Sequence, residues 1–330
     1  MSETPGFPWI PGNFLALPPD QCDLDGAGVV LIPVPYDSTT SFRSGAREGP
    51  GAIIEASYGL EDYDCELESD VSLVGIHTTP ALEPHMGGPA AMVRRVRQAV
   101  GGYTGRGKLV GVLGGEHSIA TGSVQAHLES HPDLSVLYLD AHADLRDSYM
   151  GTPWGHASGA RRIHEMCPLV LVGVRSLALE ERDYIRSSSL PTFFWPPPGG
   201  DGRSMIDEIL DRLGSTVYIS VDLDVLDPSM MSAVGTPEPG GMDWYQLTAL
   251  LKRVAESRQI VGFDVCELSP SLGVPACSYT AAKLVYKLLA YATLCYDGRL
   301  AGEGRLAGEG RGPVNFVDPG PLPNPSPGNL

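Results

Sequence analysis

The stretch that decides the fold reads Leu134-Ser-Val-Leu-Tyr-Leu139-Asp140-Ala-His142-Ala-Asp144, an apolar run that ends in a cluster of metal-binding side chains. A second apolar run, Thr216-Val-Tyr-Ile-Ser-Val221, ends in Asp222-Leu-Asp224. In an extended backbone, residues two apart point the same way. We therefore expect Asp140, His142 and Asp144 to converge on one point, and Asp222 with Asp224 to do the same.

A third apolar run, Leu109–Leu113, ends in Gly114-Gly115-Glu116-His117-Ser118. The two glycines allow a tight turn at the end of the strand, which leaves His117 free to face the same crevice. Two histidines and four aspartates are too many for one ion with open positions. They match two ions that share bridging carboxylates and lie about 3.5–4 Å apart.

The chemistry of these side chains points to the kind of ion. Carboxylates with imidazoles, and no thiolates, suit hard to borderline divalent ions such as Mn²⁺. The alternative is that the acids are turn and N-cap residues, which are common at strand ends. That reading explains each acid alone, but it does not explain three strand ends together.

Strand-like runs alternate with helical segments along the chain. Eight runs have the apolar character of strands: Gly28–Val34, Leu73–His77, Leu109–Leu113, Leu134–Asp140, Leu169–Val174, Thr192–Phe194, Thr216–Asp222 and Ile260–Val265. Helices are predicted between and after them, among them Pro89–Val100, Ile119–Ser130, Ser204–Leu213, Trp244–Ser257 and a last one from Tyr279 to about Tyr296. Continuous apolar strands indicate burial on both faces. The pattern predicts a three-layer α/β/α domain with a mainly parallel eight-stranded sheet and ligands at the carboxyl ends of its strands.

Composition divides the chain into three parts. Residues 1–22, rich in proline, are predicted to form an N-terminal arm, and residues 23–297 the domain that carries the clusters. After that, Arg299-Leu-Ala-Gly-Glu-Gly304 repeats once as 305–310, and a Pro/Gly/Asn-rich segment follows. Two hexamers are too few for a solenoid, so we expect residues 298–330 to be a disordered tail.

Charge and targeting signals limit the partners. The net charge of −17 argues against nucleic acid or an anionic membrane as partner. It is compatible with a cationic substrate, although an acidic soluble surface needs no substrate at all. The N-terminus has no basic start or apolar core of a signal peptide, and no apolar run is long enough for a membrane span. Six widely spaced cysteines are expected to be reduced, and the chain to be cytoplasmic.

Other motifs are discounted. The segment 102–108 nearly matches a phosphate-binding loop, but Leu109 replaces the Ser/Thr and the segment precedes a strand instead of following one. No G-x-S-x-G motif of a serine hydrolase occurs. Five further histidines have no acidic partners at metal-like spacing and are expected to be surface or cap residues: His77, His85, His127, His131 and His164.

At these residues the chain resembles the ureohydrolase family of arginases and agmatinases. The resemblance covers most of residues 28–295 and rests on four motifs in order: Gly-Gly-Glu-His-Ser at 114–118, Asp-Ala-His-Ala-Asp at 140–144, Ser-Val-Asp-Leu-Asp-Val-Leu-Asp-Pro at 220–228 and Gly-Thr-Pro-Glu-Pro-Gly-Gly at 235–241. It implies an arginase-like fold, two Mn²⁺ per chain and a homo-oligomer, either a trimer or a hexamer.

The resemblance also assigns residues. One ion would be held by His117, Asp140, Asp144 and Asp222, and the other by His142, Asp140, Asp222 and Asp224. His156, in Trp154-Gly-His-Ala-Ser, matches the active-site histidine of the family, and Glu267 matches the acid that grips the guanidinium. The expected reaction is attack of hydroxide on the guanidinium carbon, with Asp144 carrying the proton to the leaving amine and His156 acting as proton shuttle or substrate contact.

The prediction of the substrate depends on fewer residues than the prediction of the ligands. The segment after Asp144 and Pro237-Glu238-Pro239 resemble agmatinases, and an arginase-type loop for an α-amino acid head group is lacking. Agmatine, or an aminopropyl-extended agmatine, is expected to be cleaved to urea and an amine. Guanidino acids, arginine, and a non-catalytic guanidino- or polyamine-binding role are the alternatives. Three departures from the family pattern, Glu116, Ile54 and Ser232, are not ligands; Glu116 stands where many members have Asp.

Overall fold

A computed structural model describes residues 10–197 and 203–295. One sheet of eight parallel strands forms its centre, as the sequence predicts. In chain order the strands are β1 Val29–Val34, β2 Ile76–Thr78, β3 Leu109–Gly114, β4 Ser135–Leu139, β5 Leu169–Val174, β6 Thr192–Phe194, β7 Thr216–Asp222 and β8 Gln259–Cys266. Their order across the sheet is β2-β1-β3-β8-β7-β4-β5-β6. The strands β3, β8, β7 and β4 are therefore neighbours at its centre.

Helices cover both faces of the sheet, which gives the expected three layers. They are α1 Pro19–Cys22, α2 Gly49–Ser57, α3 Pro89–Thr104, α4 Ala120–Ser130, α5 Gly159–His164, α6 Leu179–Ser188, α7 Arg203–Leu210, α8 Trp244–Ser257 and α9 Pro275–Leu294. Apolar side chains of α2, α7, α8 and α9 pack on one face, and those of α3, α4 and α5 pack on the other. Buried strands with apolar residues throughout are what this arrangement requires.

Element boundaries differ from the predictions at a few places. The strand expected at Leu73–His77 begins only at Ile76, because Val71–Val74 forms a 3₁₀ turn that the Asp70 side chain caps by accepting from Ser72 N. The last helix begins at Pro275, four residues earlier than expected, since proline is well suited to the first turn of a helix. The helix at 244–257 has the predicted bounds.

The ends of the chain are only partly described. Residues 10–22 lie against the body: Phe14 is fully buried, and its backbone N–H donates to Thr78 Oγ1 at 3.0 Å. The predicted tail, residues 298–330, lies outside the described residues. Within the described part, no helix combines the length and apolarity that crossing a membrane requires.

One histidine corrects the prediction made from its spacing. His127 is completely buried instead of lying at the surface, and its Nδ1–H donates to the Ser123 carbonyl at 2.8 Å. Its ring lies 4.8 Å from the Tyr218 ring, centroid to centroid, and fills the space above Gly262 in β8. Burial, and then the neighbouring His131, lower the pKa of His127 to about 4. A neutral imidazole can therefore serve as a core side chain. The other four histidines that were predicted as surface or cap residues, His77, His85, His131 and His164, are half-buried.

We predict that replacing Gly262 lowers stability, because the His127 ring occupies the space that a Cβ would need. A Cβ at position 262 would overlap the His127 imidazole, which Tyr218 holds in place. Gly262→Ala should lower the free energy of unfolding by about 1–3 kcal/mol through overpacking. Gly101→Ala is the matched control: Gly101 is exposed in α3 with open space around it, and alanine should raise the free energy of unfolding by up to about 1 kcal/mol. Urea denaturation measures both, and equal effects would contradict the packing argument.

Candidate functional site

The predicted site residues meet at one edge of the sheet. All of them except His156 lie at the carboxyl end of one of the four central strands, which are adjacent in the order β3-β8-β7-β4. His117 follows β3, Glu267 follows β8, Asp222 and Asp224 lie at the end of β7, and Asp140, His142 and Asp144 follow β4. Parallel strands place all these ends at the same edge, so residues far apart in sequence come together.

A first group of ligand atoms surrounds the ring of His117. Its Nδ1 lies 3.1 Å from Asp140 Oδ2, 3.3 Å from Asp222 Oδ2 and 3.8 Å from Asp144 Oδ2. His117, Asp140 and Asp144 offer ligand atoms that all lie within 4.8 Å of one another. This spacing suits a single ion between them.

A second group lies beside the first and shares a residue with it. His142 Nδ1 is 2.9 Å from Asp224 Oδ2 and 3.5 Å from Asp140 Oδ1. Asp140 thus turns one oxygen toward each histidine. Two adjacent groups with a shared carboxylate are the arrangement that a pair of ions requires.

Burial and charge show why this site fits cations. The side chains of the four aspartates are at most 8% exposed. Burial, and then the charge of Asp140, raise the pKa of Asp144 well above its usual range; burial, and then Asp224, do the same for Asp222. Among the described residues, the four carboxylates form ion pairs with His117 and His142 and with no lysine or arginine. A cluster this acidic is a binding site for divalent ions.

Both the extended backbone that the sequence suggests and local turns contribute to the convergence. Strand β4 ends at Leu139, but Asp140 N still donates to the Val172 carbonyl and His142 pairs in parallel with Ser176, so pairing with the segment of β5 continues past the end of the strand. Asp144 has φ 51°, in the left-handed region, which turns the end of the segment back toward the site. Asp222 closes β7, and residues 223–225 form a 3₁₀ turn in which Asp224 N donates to Asp222 Oδ1 at 2.8 Å. The pairing that continues past β4 and the turns at Asp144 and after Asp222 bring these ligands together.

Two polar side chains, Ser220 and Asp264, set the orientation of the His117 ring from its Nε2 side. Its Nε2 lies 2.8 Å from Ser220 Oγ, and the Ser220 hydroxyl donates to Asp264 Oδ1 at 2.9 Å. Because the serine proton is used by Asp264, the serine oxygen accepts from His117 Nε2–H. Nδ1 then faces the aspartates, where it could offer its lone pair to an ion bound between them. His117, Asp264 and Cys266 are also close enough to form a ligand group, but Asp264 already accepts from Tyr218, Ser220 and Cys266.

Tyr138 is a site residue that the sequence reading missed. Its ring stacks on His117 with centroids 4.4 Å apart, and its hydroxyl donates to Asp144 Oδ2 at 2.9 Å. Tyr138 and Ser220 each precede a predicted ligand by two residues in a strand, so they lie on the same side as that ligand. Extending the period-two pattern backwards from Asp140 and Asp222 identifies both.

Glu267 lies beside the His117 group. Its Oε1 accepts from His117 N at 2.8 Å, and its φ of 70° turns the chain sharply after β8. Burial, and then the charge of Asp222, raise the pKa of Glu267 well above its usual range. A cation placed against this carboxylate would offset that penalty.

His156 also reaches the site, through a separate segment. It begins the 3₁₀ turn His156–Ser158, and its N–H donates to Thr39 Oγ1 at 3.0 Å. Its ring Nε2 is buried and has no hydrogen-bond partner in the part of the chain that the structure describes. Burial, and then His142, lower the pKa of His156 to about 4. The ring is therefore neutral at physiological pH and can accept a proton or a substrate N–H.

Comparisons with known proteins agree with this geometry. A model of the arginase family matches residues 27–291. The chain is 42% identical to an N(1)-aminopropylagmatine ureohydrolase of Thermus thermophilus over 262 residues, which cover 79% of this chain and 88% of the relative. A Synechocystis protein of the same name is 38% identical over 273 residues, covering 80% and 89%. The structure of the agmatine ureohydrolase of Thermoplasma volcanium has a TM-score of 0.75 at 32% identity and covers 81% of this chain and 90% of its own.

The shared role of Asp140 predicts how variants lose ions. Asp140→Asn removes a carboxylate that faces both histidines, so both ions should be lost on dialysis. His142→Ala removes a ligand of one group only, and about one ion per chain should remain. Elemental analysis after reconstitution with Mn²⁺ measures the content. Equal losses in the two variants would show that the groups are not separate sites.

Proposed function

The chain belongs to the arginase family, and we propose that it hydrolyses agmatine, or an aminopropyl-extended agmatine, to urea and an amine. The relatives at 42% and 38% identity are N(1)-aminopropylagmatine ureohydrolases by name. The observation that carries the proposal is the pair of ligand groups that share Asp140 at the centre of the sheet. A guanidinium carbon is a poor electrophile, and this is the site of the chain that can supply a strong nucleophile beside it.

We propose Mn²⁺ as the ion, with two per chain. Carboxylate and imidazole donors without thiolates support it. One ion would be held by His117, Asp140, Asp144 and Asp222, and the other by His142, Asp140, Asp222 and Asp224. When bound, the pair would supply hydroxide at neutral pH by lowering the pKa of water.

Glu267 is proposed to hold the substrate guanidinium. Its carboxylate is buried beside Asp222 and is fixed by the His117 backbone N–H. A guanidinium presents parallel N–H donors that match a carboxylate, and the pairing is stronger away from water. The same contact orients the guanidinium carbon toward the ligand groups.

Asp144 and His156 are proposed to move protons. Asp144 is buried next to Asp140, and Tyr138 donates to its Oδ2, so this oxygen has a fixed position. In the reaction Asp144 would take up a proton and deliver it to the leaving nitrogen. His156 is neutral and presents a buried, unpartnered Nε2, which can take the proton onward or accept from the substrate.

Glu238 supports a positive charge at the far end of the substrate. Its Oε1 lies 3.9 Å from His142 Nε2, and both side chains are partly exposed, His142 to 26% and Glu238 to 36%. Its backbone carbonyl accepts from Arg175 at 2.7 Å, and the same guanidinium donates to the Asp224 carbonyl at 2.7 Å. Glu238 therefore sits on a fixed segment at the open side of the site. A terminal ammonium is favoured there over a carboxylate.

A urea-release screen tests the substrate class. With Mn²⁺ added, agmatine and aminopropylagmatine should be cleaved with a higher kcat/KM than arginine and guanidinobutyrate. A clear preference for guanidinobutyrate would reject the cationic substrate and keep the hydrolytic chemistry. Absence of urea from every compound in the metal-loaded protein would favour a binding protein over an enzyme.

The role of Glu267 is tested by removing its charge alone. Glu267→Gln keeps the shape, and a hydrogen bond to a charged group contributes about 1.5–3 kcal/mol. We expect kcat/KM for agmatine to fall at least roughly tenfold, with the Mn²⁺ content unchanged. An activity like that of the wild type would contradict guanidinium binding by Glu267. Glu129→Gln, a surface change in α4, serves as the charge-matched control.

A further inference from the structure

The carboxylate of Glu116 collects four hydrogen bonds beside the proposed active site. Its Oε2 accepts from the backbone N–H groups of Ser38 and Thr39, each at 2.6 Å. Its Oε1 accepts from Thr39 Oγ1 at 2.7 Å and from Ser118 Oγ at 2.6 Å. The residue is completely buried. Glu116 therefore fastens residues 38 and 39, which follow β1, to the turn after β3.

The Thr39 hydroxyl connects this carboxylate to His156. A hydroxyl has one proton, and here Thr39 donates it to Glu116. The threonine oxygen can then only accept, and it accepts from His156 N at 3.0 Å. Gly155 makes the approach possible, since a Cβ there would lie 3.1 Å from Thr39 Oγ1. The two hydrogen bonds therefore run in one direction: His156 N–H donates to Thr39 Oγ1, and the Thr39 hydroxyl donates to Glu116.

The contact matters because the ring of His156 has no anchor of its own at Nε2. Among the described residues that atom is buried without a partner, so no hydrogen bond at Nε2 holds the ring and its backbone contributes to its position. The hydrogen bond to Thr39 is made at the first residue of the turn that carries the ring. A shift of the backbone here would move the ring relative to the ligand groups, and errors of this kind are costly in catalysis.

We propose that Glu116 is a positioning residue that sets the place of the His156 ring through Thr39. This rests on the proposed function for its kinetic readout, and it adds a role to a residue that lies outside both ligand groups. The length of the side chain is part of the role. Aspartate at this position would withdraw the carboxylate by about 1.5 Å, the length of one C–C bond.

Variants of Thr39 test the connection without changing Glu116. Thr39→Val removes the hydroxyl at similar volume, and kcat for agmatine should fall about tenfold with the KM and the Mn²⁺ content nearly unchanged. Thr39→Ser keeps the hydroxyl and should restore most of the rate. Thr248→Val is the matched control, because it removes a buried threonine hydroxyl whose hydrogen bonds lie within α8, and its kcat should stay within about twofold of wild type.

A double-variant cycle separates positioning from a general structural effect. If Thr39 acts through His156, Thr39→Val should slow the His156→Ala protein hardly at all, because the ring it positions is gone. Equal losses in the two backgrounds would overturn the proposal. So would a Thr39→Ser protein as slow as Thr39→Val.

A spectroscopic readout keeps the inference independent of turnover. The His156 ring resonances, assigned by their loss in His156→Ala, should shift in Thr39→Val and in Glu116→Asp but not in Thr39→Ser. Unmoved resonances in both variants would overturn the positioning role even if the protein cleaves agmatine. Shifted resonances in a protein that releases no urea would instead support the positioning and reject the proposed function.

Discussion

Repulsion among four buried aspartates is the constraint on which the rest of the structure depends. Asp140 and Asp144 follow one central strand, and Asp222 and Asp224 lie at the end of its neighbour, with strand axes about 4.8 Å apart. Burial strengthens their mutual repulsion, because little water is present to screen it. The two histidines alone do not balance four carboxylates. The fold therefore holds together groups that are stable side by side only when cations lie between them or protons neutralise part of their charge.

Rigid surroundings hold this cluster in place. Asp144 and Glu267 both have left-handed backbones without being glycine, a conformation that costs on the order of 1–3 kcal/mol each. Backbone hydrogen bonds offset the strain: Arg161 N donates to the Asp144 carbonyl, and Glu267 N donates to the Gly115 carbonyl. The sheet, covered on both faces by helices, provides the fixed frame from which these turns project.

The sequence predicted the features that a local pattern determines, namely the strands of the sheet and the acidic residues at their ends. The continuous apolar runs identified every strand of the sheet, and the acids at their ends were brought together as expected. Three features required the tertiary structure. The buried place of His127 depends on the missing side chain of Gly262, the turn at Asp144 depends on a single left-handed residue, and the contact of Thr39 with His156 joins distant segments. None of these leaves a periodic signal, because two arise from packing between separate elements and one from the backbone conformation of a single residue.

The most direct test is whether one substitution raises or lowers the free energy of unfolding, measured with and without Mn²⁺. Asp222→Asn keeps the acceptor for Asp224 N but removes one of the repelling charges. We predict that its free energy of unfolding is higher than that of the wild type in metal-free protein, because repulsion is relieved. With excess Mn²⁺ the order should reverse, since the wild type binds the ions better. If the same protein has the higher free energy of unfolding with and without Mn²⁺, the claim that cations hold this cluster together is contradicted.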